Sequence, residues 1–132
     1  MNDLNKTANH WKHLALRDWK TARGLFEIKR YDACLFFCHL TLEKILKGLF
    51  VKRSQKHAPF IHDLERLAVI ASIPLSLEQT ADLKDISAFN IAGRYSDYKF
   101  SFYKKCTPSY TKKYLLKSGD LVECLQKEYR KH

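Results

Sequence analysis

The stretch Tyr31–Phe50, YDACLFFCHLTLEKILKGLF, decides the fold of this chain. When it is wound at 3.6 residues per turn, it is apolar on nearly every side, and no continuous polar face remains. The apolar positions are Ala33, Leu35, Phe36, Phe37, Leu40, Leu42, Ile45, Leu46, Leu49 and Phe50. A helix that is apolar all round belongs inside a protein and not on its surface. The stretch therefore predicts the central helix of a helical bundle.

Three of the polar residues in this helix are spaced four apart, which places His39, Glu43 and Lys47 along one side. We call these three residues the polar row. A buried polar group is costly unless it is hydrogen-bonded, so the row either forms a network that fixes helix packing or faces a ligand groove. Both interpretations stay open from the sequence. The row is the first candidate for a functional site.

Outward from this helix, composition and punctuation favour further helices. The chain of 132 residues contains four Gly and three Pro. Helical periodicity predicts a first helix over residues 7–29, and Asp32 is a candidate N-cap for the central one. Pro59 predicts a third helix over 60–71, Ser76 with Gln79 predicts a capping box before a fourth that includes Phe89, and Thr107 with Pro108 opens a fifth. We expect an all-α, up-and-down antiparallel bundle of about five helices, forming a single domain over residues 1–132.

The segment RYSDYKFSFYKK, residues 94–105, fits this pattern poorly. Its aromatic and polar residues partly alternate, as in a strand, but no second strand is available to pair with it. We therefore expect an irregular aromatic loop or a short helical turn.

The charge balance is strongly basic, with 24 Lys and Arg against 14 Asp and Glu, giving +10 with His neutral. Such a surplus is typical of proteins that contact RNA, DNA or nucleotide phosphates, although a solvated basic surface would give the same count. The basic residues from 99 onward alternate with aromatic ones that could stack on bases; alternatively the aromatics belong to the core or a dimer interface. The predicted nucleic-acid patch comprises Lys52, Arg53, Lys99, Lys104, Lys105, Lys112 and Lys113.

The four cysteines indicate a reducing compartment. No CxxC occurs, and the N-terminal residues lack the apolar run of a secretory signal, so we expect a cytoplasmic protein with free thiols and no membrane span. Cys34, Cys38 and His39 could in principle hold a metal ion. Free cysteine is a common small core residue, and we predict neither a metal nor a cofactor.

At this point the residues resemble a known family. The elements that carry the likeness are Trp19 and Ala22 in the first helix, the sequence ACLFFCHLTLEKILKGLF after a Tyr-Asp turn, His-Asp-Leu at 62–64 and Arg-Tyr at 94–95. Together they resemble the HEPN domain (higher eukaryotes and prokaryotes nucleotide-binding), particularly small prokaryotic members that are often paired with a minimal nucleotidyltransferase. The resemblance implies a helical bundle, commonly a homodimer with a cleft at or near the interface. It also implies nucleotide or RNA binding and a nucleotidyltransferase-type partner in a toxin–antitoxin or stress and defence module.

The chain departs from the ribonuclease signature of this family, which is an Arg followed by a His after four to six intervening residues. None of its arginines has a His at that distance; Arg53, for example, is too close to His57 and too far from His62. A divergent, metal-independent ribonuclease is therefore an alternative, and its candidate catalytic residues are His39, His62 and Arg94. A purely structural dimeric docking module is another alternative. The predicted ligand-binding residues are His39, Glu43, Lys47, His62, Arg94 and Tyr95.

Overall fold

The computed structural model of this protein describes residues 3–94 and 96–131, and in that part of the chain all regular structure is helical. The all-α prediction is confirmed. The number of helices differs from the expected five or so, because short segments follow α4. The helices are α1 (Asp3–Glu27), α2 (Tyr31–Ser54), α3 (Leu64–Ile70), α4 (Leu77–Ser87), α5 (Phe89–Arg94), α6 (Ser96–Lys105) and α7 (Pro108–Tyr129).

Helix α2 is the centre of the molecule, as its apolar circumference predicts. It contacts each of the other described helices, most extensively α1 and α7. Leu35, Leu42, Ile45, Leu46 and Leu49 are completely buried. Burying each such side chain contributes about 1.5–3 kcal/mol, so α2 is the main source of cohesion between the layers of the bundle.

A short connection joins α1 to α2 and makes them antiparallel neighbours. Lys29 takes a left-handed conformation (φ 63°), and the N–H of Arg30 donates to the carbonyl of Leu25 at 2.8 Å. This turn lets α2 begin at Tyr31, one residue before the predicted cap. The prediction of Asp32 as N-cap is therefore wrong; Asp32 lies in the first turn, where its charge complements the helix dipole.

Helix α3 begins later than predicted. Its N-cap is Asp63, whose carboxylate accepts from the N–H of Arg66 at 3.2 Å, so residues 59–63 are not helical. An aspartate that satisfies an otherwise unpaired helix N–H is a stronger start signal than Pro59 four residues upstream. This cap fixes the position of the preceding residue, His62.

The capping box that opens α4 is confirmed. The Ser76 hydroxyl accepts from the N–H of Gln79 at 3.0 Å, and the Gln79 side chain accepts from the N–H of Ser76 at 2.9 Å. The helix ends at Ser87, however, and Phe89 begins the separate helix α5.

The aromatic segment 94–105 is mostly helical and not irregular. Helix α6 covers Ser96–Lys105, and its Phe102 is buried against Phe89, with ring centroids 5.4 Å apart. Without a partner strand, helical hydrogen bonds are the remaining way to satisfy the backbone here. The predicted start of α7 is confirmed, since the Thr107 hydroxyl accepts from the N–H of Tyr110 and Pro108 is the first helical residue.

Within the described residues, none of the helices combines the length and the apolarity that crossing a membrane demands.

Candidate functional site

The polar row is buried and fully paired. His39 is completely inaccessible, and Glu43 and Lys47 are 7% and 6% exposed. One carboxylate oxygen of Glu43 accepts from Nε2 of His39 at 2.9 Å, and the other accepts from Nζ of Lys47 at 2.9 Å. Glu43 is thus the hub that joins three successive turns of α2.

His62 joins this hub from outside α2. Its Nδ1 lies 3.0 and 3.1 Å from the two oxygens of the Glu43 carboxylate, while its side chain remains 53% exposed. At the end of α4, the Ser87 hydroxyl accepts from the N–H of Leu64, the first residue of α3, at 3.1 Å. The cap of α3 and this tie to α4 therefore hold a solvent-facing imidazole against a buried carboxylate.

The second ring nitrogen of His39 faces another acceptor. Nδ1 lies 3.4 Å from the carbonyl oxygen of Ile86 in α4, while Nε2 donates to Glu43. Because the carbonyl and the carboxylate both only accept, the two contacts are both hydrogen bonds only in the doubly protonated ring. Whether or not Nδ1 is also protonated, Nε2–H donates to Glu43 and holds its carboxylate in place.

The charge state of Glu43 follows from these contacts. Burial by itself would raise the pKa of this carboxyl, but hydrogen bonds from His39, Lys47 and His62 outweigh it and lower the pKa to about 2. Glu43 is therefore ionised at neutral pH and accepts from Nδ1–H of His62. That tautomer leaves Nε2 of His62 as the nitrogen able to act on a bound molecule.

A groove of about 370 Å³ lies beside His62, and we call it the His62 groove. Its wall carries both signs of charge. It is lined by His62, Asp63, Glu65, Lys84, Ser87, Ala88, Asn90 and Ile91. A pocket of this size is at the lower end of the range for small-ligand sites, which fits a nucleotide-sized group better than a large cofactor.

Arg94 reaches this groove indirectly. Its Nε donates to Oδ1 of Asn90 at 2.5 Å, and its guanidinium lies over the ring of Phe36 at 5.4 Å. The predicted ligand residue Tyr95 lies outside the described residues.

Sequence reasoning missed Lys84, Ser87 and Asn90. They follow one another at intervals of three, which places them on one side of the α4–α5 segment. Asn90 is buried between apolar neighbours, and a polar residue in that setting was the signal that could have revealed the groove wall.

Several lysines of α6 and of the first half of α7 lie over aromatic rings. Nζ of Lys104 is 4.5 Å from the ring centroid of Phe100, and Nζ of Lys105 is 5.5 Å from that of Tyr110. We call this surface the basic–aromatic face; its lysines are Lys99, Lys104, Lys105, Lys112 and Lys113, and all are exposed. Its aromatic residues divide, with Tyr98, Phe100 and Tyr103 exposed and Phe102 and Tyr114 buried. The buried rings therefore belong to the core, and base stacking stays a prediction for the exposed ones.

Lys52 and Arg53 have a different setting. The ammonium of Lys52 donates to the carbonyl of Tyr129, and Arg53 binds the Glu128 carboxylate at 2.6 Å and the carbonyl of Ser72 at 2.9 Å. These contacts join the end of α2 to the end of α7. Their participation in a phosphate track stays a prediction.

The cysteines of the central region are free and buried: Cys34, Cys38 and Cys106. Burial raises the pKa of Cys106 to about 12, so this thiol stays protonated. Among residues 3–94 and 96–131 there is no group of three or more His, Cys, Asp or Glu side chains placed to hold a metal ion.

Comparison with known proteins agrees with this architecture. The family model of the HEPN domain matches residues 8–128, so the chain belongs to the HEPN domain family, and the resemblance drawn from its motifs is confirmed. The fold is also similar to that in the crystal structure of TT1696 from Thermus thermophilus. The TM-score is 0.79 over 97% of this chain and 99% of that chain, with 17% sequence identity, a level that shows the shared fold alone. No curated protein matches the chain significantly in sequence.

Proposed function

We propose that this chain acts as a single HEPN domain that binds a nucleotide or RNA, with the His62 groove receiving a phosphate and its sugar. One observation carries the proposal: a half-exposed imidazole is held by a buried, ionised carboxylate on the wall of a groove. The hydrogen bond from Nδ1–H to Glu43 fixes the orientation of the His62 ring, so Nε2 is already oriented before a ligand binds. In this groove, which also contains Asp63 and Glu65, Lys84 supplies positive charge for the phosphate and the His62 ring supplies a hydrogen-bonding group for the bound nucleotide.

The overall charge supports the same ligand class. A net charge of +10 attracts polyanions, and the exposed lysines of the basic–aromatic face extend the positive surface beyond the groove. Neutralising phosphates releases counterions, so binding of single strands weakens with salt by a slope of about −0.7 for each phosphate contacted. The proposal thus predicts RNA binding with a measurable dependence on salt.

The test is binding of labelled single-stranded RNA and of a nucleoside monophosphate by fluorescence anisotropy at physiological salt, for wild type, His62→Ala and His57→Ala. His57 is an exposed histidine in the same loop and serves as the matched control. A charge-assisted hydrogen bond contributes about 1.5–3 kcal/mol, so His62→Ala lowers affinity by roughly tenfold or more while His57→Ala leaves it nearly unchanged. Equal affinity in all three proteins would remove His62 from the site, and no binding of either ligand by wild type would refute the function.

A second candidate function is metal-independent RNA cleavage. The Glu43–His62 pair favours it, because a carboxylate that accepts from Nδ1–H sets Nε2 to take the proton of a ribose 2′-OH. Arg94, held by Asn90 at the groove wall, is the candidate cation for the charge that develops on phosphate. The expected result is cleavage in excess chelator that leaves a cyclic phosphate, is absent with a 2′-deoxy substrate and is lost in His62→Ala. Cleavage that persists in His62→Ala would exclude His62 as the base, and His39, which is completely inaccessible, is not positioned to replace it.

The expected partners follow from the family. We propose a cytoplasmic homodimer that works with a nucleotidyltransferase-type protein in a toxin–antitoxin or stress and defence module. Light scattering of the purified chain tests the homodimer, and co-purification with such a protein encoded beside it tests the partner. If the chain is instead a structural docking module, Glu43→Gln alters dimer stability while wild type binds neither RNA nor nucleotide.

A further inference from the structure

A second depression, the aromatic cleft, lies between the α4–α5 segment, α6 and the start of α7. Its volume is about 350 Å³, nearly equal to that of the His62 groove. Four aromatic residues form its wall, and they are Phe89, Phe102, Tyr110 and Tyr114. The volume lies within the range of small-molecule sites, and an aromatic lining suits a flat ring.

The aromatic wall is a packed unit and not a set of loose side chains. The ring of Phe89 lies 5.4 Å from that of Phe102 and 5.3 Å from that of Tyr114, and Tyr110 lies 5.0 Å from Tyr114. Phe89, Phe102 and Tyr114 are buried, whereas Tyr110 is only half-buried. Tyr110 therefore presents the ring surface that is most accessible to a ligand.

The polar groups of the cleft include both an acceptor and cations. Oδ2 of Asp85 accepts from the Tyr114 hydroxyl at 2.9 Å, which leaves Oδ1 for a donor on a ligand. Lys84 and Lys105 also line the cleft, and Nζ of Lys105 lies over the Tyr110 ring. A cation–π contact at an exposed site is weak, so this ammonium can turn to a phosphate at little cost. A nucleobase with an exocyclic amino group, joined to phosphate, matches the aromatic wall, the carboxylate acceptor and the lysine charges.

The aromatic cleft and the His62 groove are neighbours. Lys84 and Ala88 line both, so they form the ridge between the two depressions. Lys84 is exposed and one turn from Ala88 on the same side of this segment. A strand that enters both depressions must pass this ridge, where the lysine can neutralise the phosphate that joins one nucleotide to the next.

We propose that the aromatic cleft is a nucleobase subsite of the RNA-binding surface. It seats an amino-bearing base against Tyr110 and Asp85, with Lys84 binding the phosphate that connects this base to the nucleotide in the His62 groove. The inference rests on the proposed RNA-binding function. It adds where one base binds, which class of base it is and which path the strand follows between the two depressions. It predicts that oligocytidylate binds more tightly than oligouridylate of the same length.

The first experiment is photocrosslinking of wild type to an oligocytidylate of about eight nucleotides that carries one 5-iodocytidine, a length within the site sizes of single-strand binders. Mass spectrometry then locates the adduct. Adducts on Tyr110 or Tyr114 are expected. Adducts confined to exposed aromatics outside the cleft, such as Tyr98 or Phe100, would overturn the subsite.

The second experiment measures oligocytidylate affinity in two variants of the cleft and two matched controls. Tyr110→Leu keeps an apolar side chain but removes the stacking ring, and Phe60→Leu removes a ring at a fully exposed position of the loop before α3. Stacking on an aromatic ring is strong enough that Tyr110→Leu weakens binding about 5- to 150-fold, with Phe60→Leu close to wild type. Lys84→Ala flattens the salt slope by about 0.7, whereas Lys20→Ala, an exposed lysine of α1, does not.

The outcomes separate the two proposals. If wild type binds RNA but Tyr110→Leu matches Phe60→Leu, the subsite is refuted and the proposed function stands. If wild type binds no RNA, the subsite fails, and if it binds no nucleotide either, the proposed function fails with it. Circular dichroism of each variant checks the fold, and the crosslinking result does not depend on any variant.

Discussion

The polar row and the basic–aromatic face both carry positive charge, but they hold it in opposite ways. In the row, Lys47 is buried and lies 2.9 Å from a carboxylate that two histidines also hold in place. On the face, Lys104 is exposed and lies over a ring whose centroid is 4.5 Å away. Removing a charge from water is costly, so the row must stay paired, whereas a solvated lysine can leave its ring freely. The packing of the helices therefore depends on the polar row. The basic–aromatic face instead offers exposed, mobile charges of the kind that suits contact with a polyanion.

The strongest test of this contrast removes the hub of the row. Glu43→Ala leaves Lys47 buried without its carboxylate and frees His39 and His62, so we expect a loss of about 3–5 kcal/mol in the free energy of unfolding. Urea denaturation followed by circular dichroism measures it. Glu123→Ala, at an exposed position of α7, is the control and changes stability by no more than about 0.5 kcal/mol. Similar losses in the two variants would mean that the row contributes nothing beyond helix propensity.

The same hub predicts a dependence of stability on pH. The pKa of Glu43 falls from 4.5 to about 2 on folding, so its contribution is fully present above about pH 4.5 and is lost as the pH falls toward 2. Allowing for solvent screening on the side of His62, the loss amounts to about 2–3 kcal/mol. Subtracting the pH profile of Glu43→Gln from that of wild type isolates this carboxyl from the others. Parallel profiles between pH 2 and pH 4.5 would contradict the assignment.

Close packing around Gly48, the neighbour of Lys47 in the polar row, predicts that alanine substitutions at Gly48 and at Gly24 change stability in opposite directions. A Cβ on Gly48 would overlap Oη of Tyr129 and lie 2.9 Å from Cβ of Trp11, the residue whose ring lies beside the Lys47 ammonium. Gly48→Ala therefore forces α1 and α7 away from α2 and costs about 1–3 kcal/mol. Gly24→Ala meets nothing within 4 Å and gains about 0.5–1 kcal/mol from the reduced entropy of the unfolded chain. Thermal unfolding of the two variants should shift in opposite directions, and shifts in the same direction would refute the packing argument.

The two regions also differ in how far the sequence predicts them. The central position of α2 follows from its apolar circumference, and the stacking of His39, Glu43 and Lys47 follows from their spacing, because both are properties of a single helix. The bond between His62 and Glu43 spans 19 residues and depends on where α3 begins, which the cap at Asp63 decides. Periodicity carries no information about such contacts between elements.

The α4–α6 region was harder to predict for a related reason. The aromatic residues of RYSDYKFSFYKK follow neither a clear helical nor a clear strand spacing. The burial of Phe102 depends on its contact with Phe89, thirteen residues earlier. Tertiary packing therefore selects the helical state of α6, and the groove wall formed by Lys84, Ser87 and Asn90 becomes visible only when α4 and α5 are placed beside His62.

The smallest expected effect on stability comes from the basic–aromatic face and completes the comparison. Lys104→Ala removes an exposed cation from the Phe100 ring, so the free energy of unfolding changes by no more than about 0.5 kcal/mol. If this lysine contacts one phosphate of a bound strand, the slope of log affinity against log salt flattens by about 0.7 in the same variant. Denaturation and salt titration of one protein sample measure both quantities. A marked loss of stability would make the face structural like the row, and an unchanged slope with unchanged stability would remove Lys104 from the proposed RNA surface.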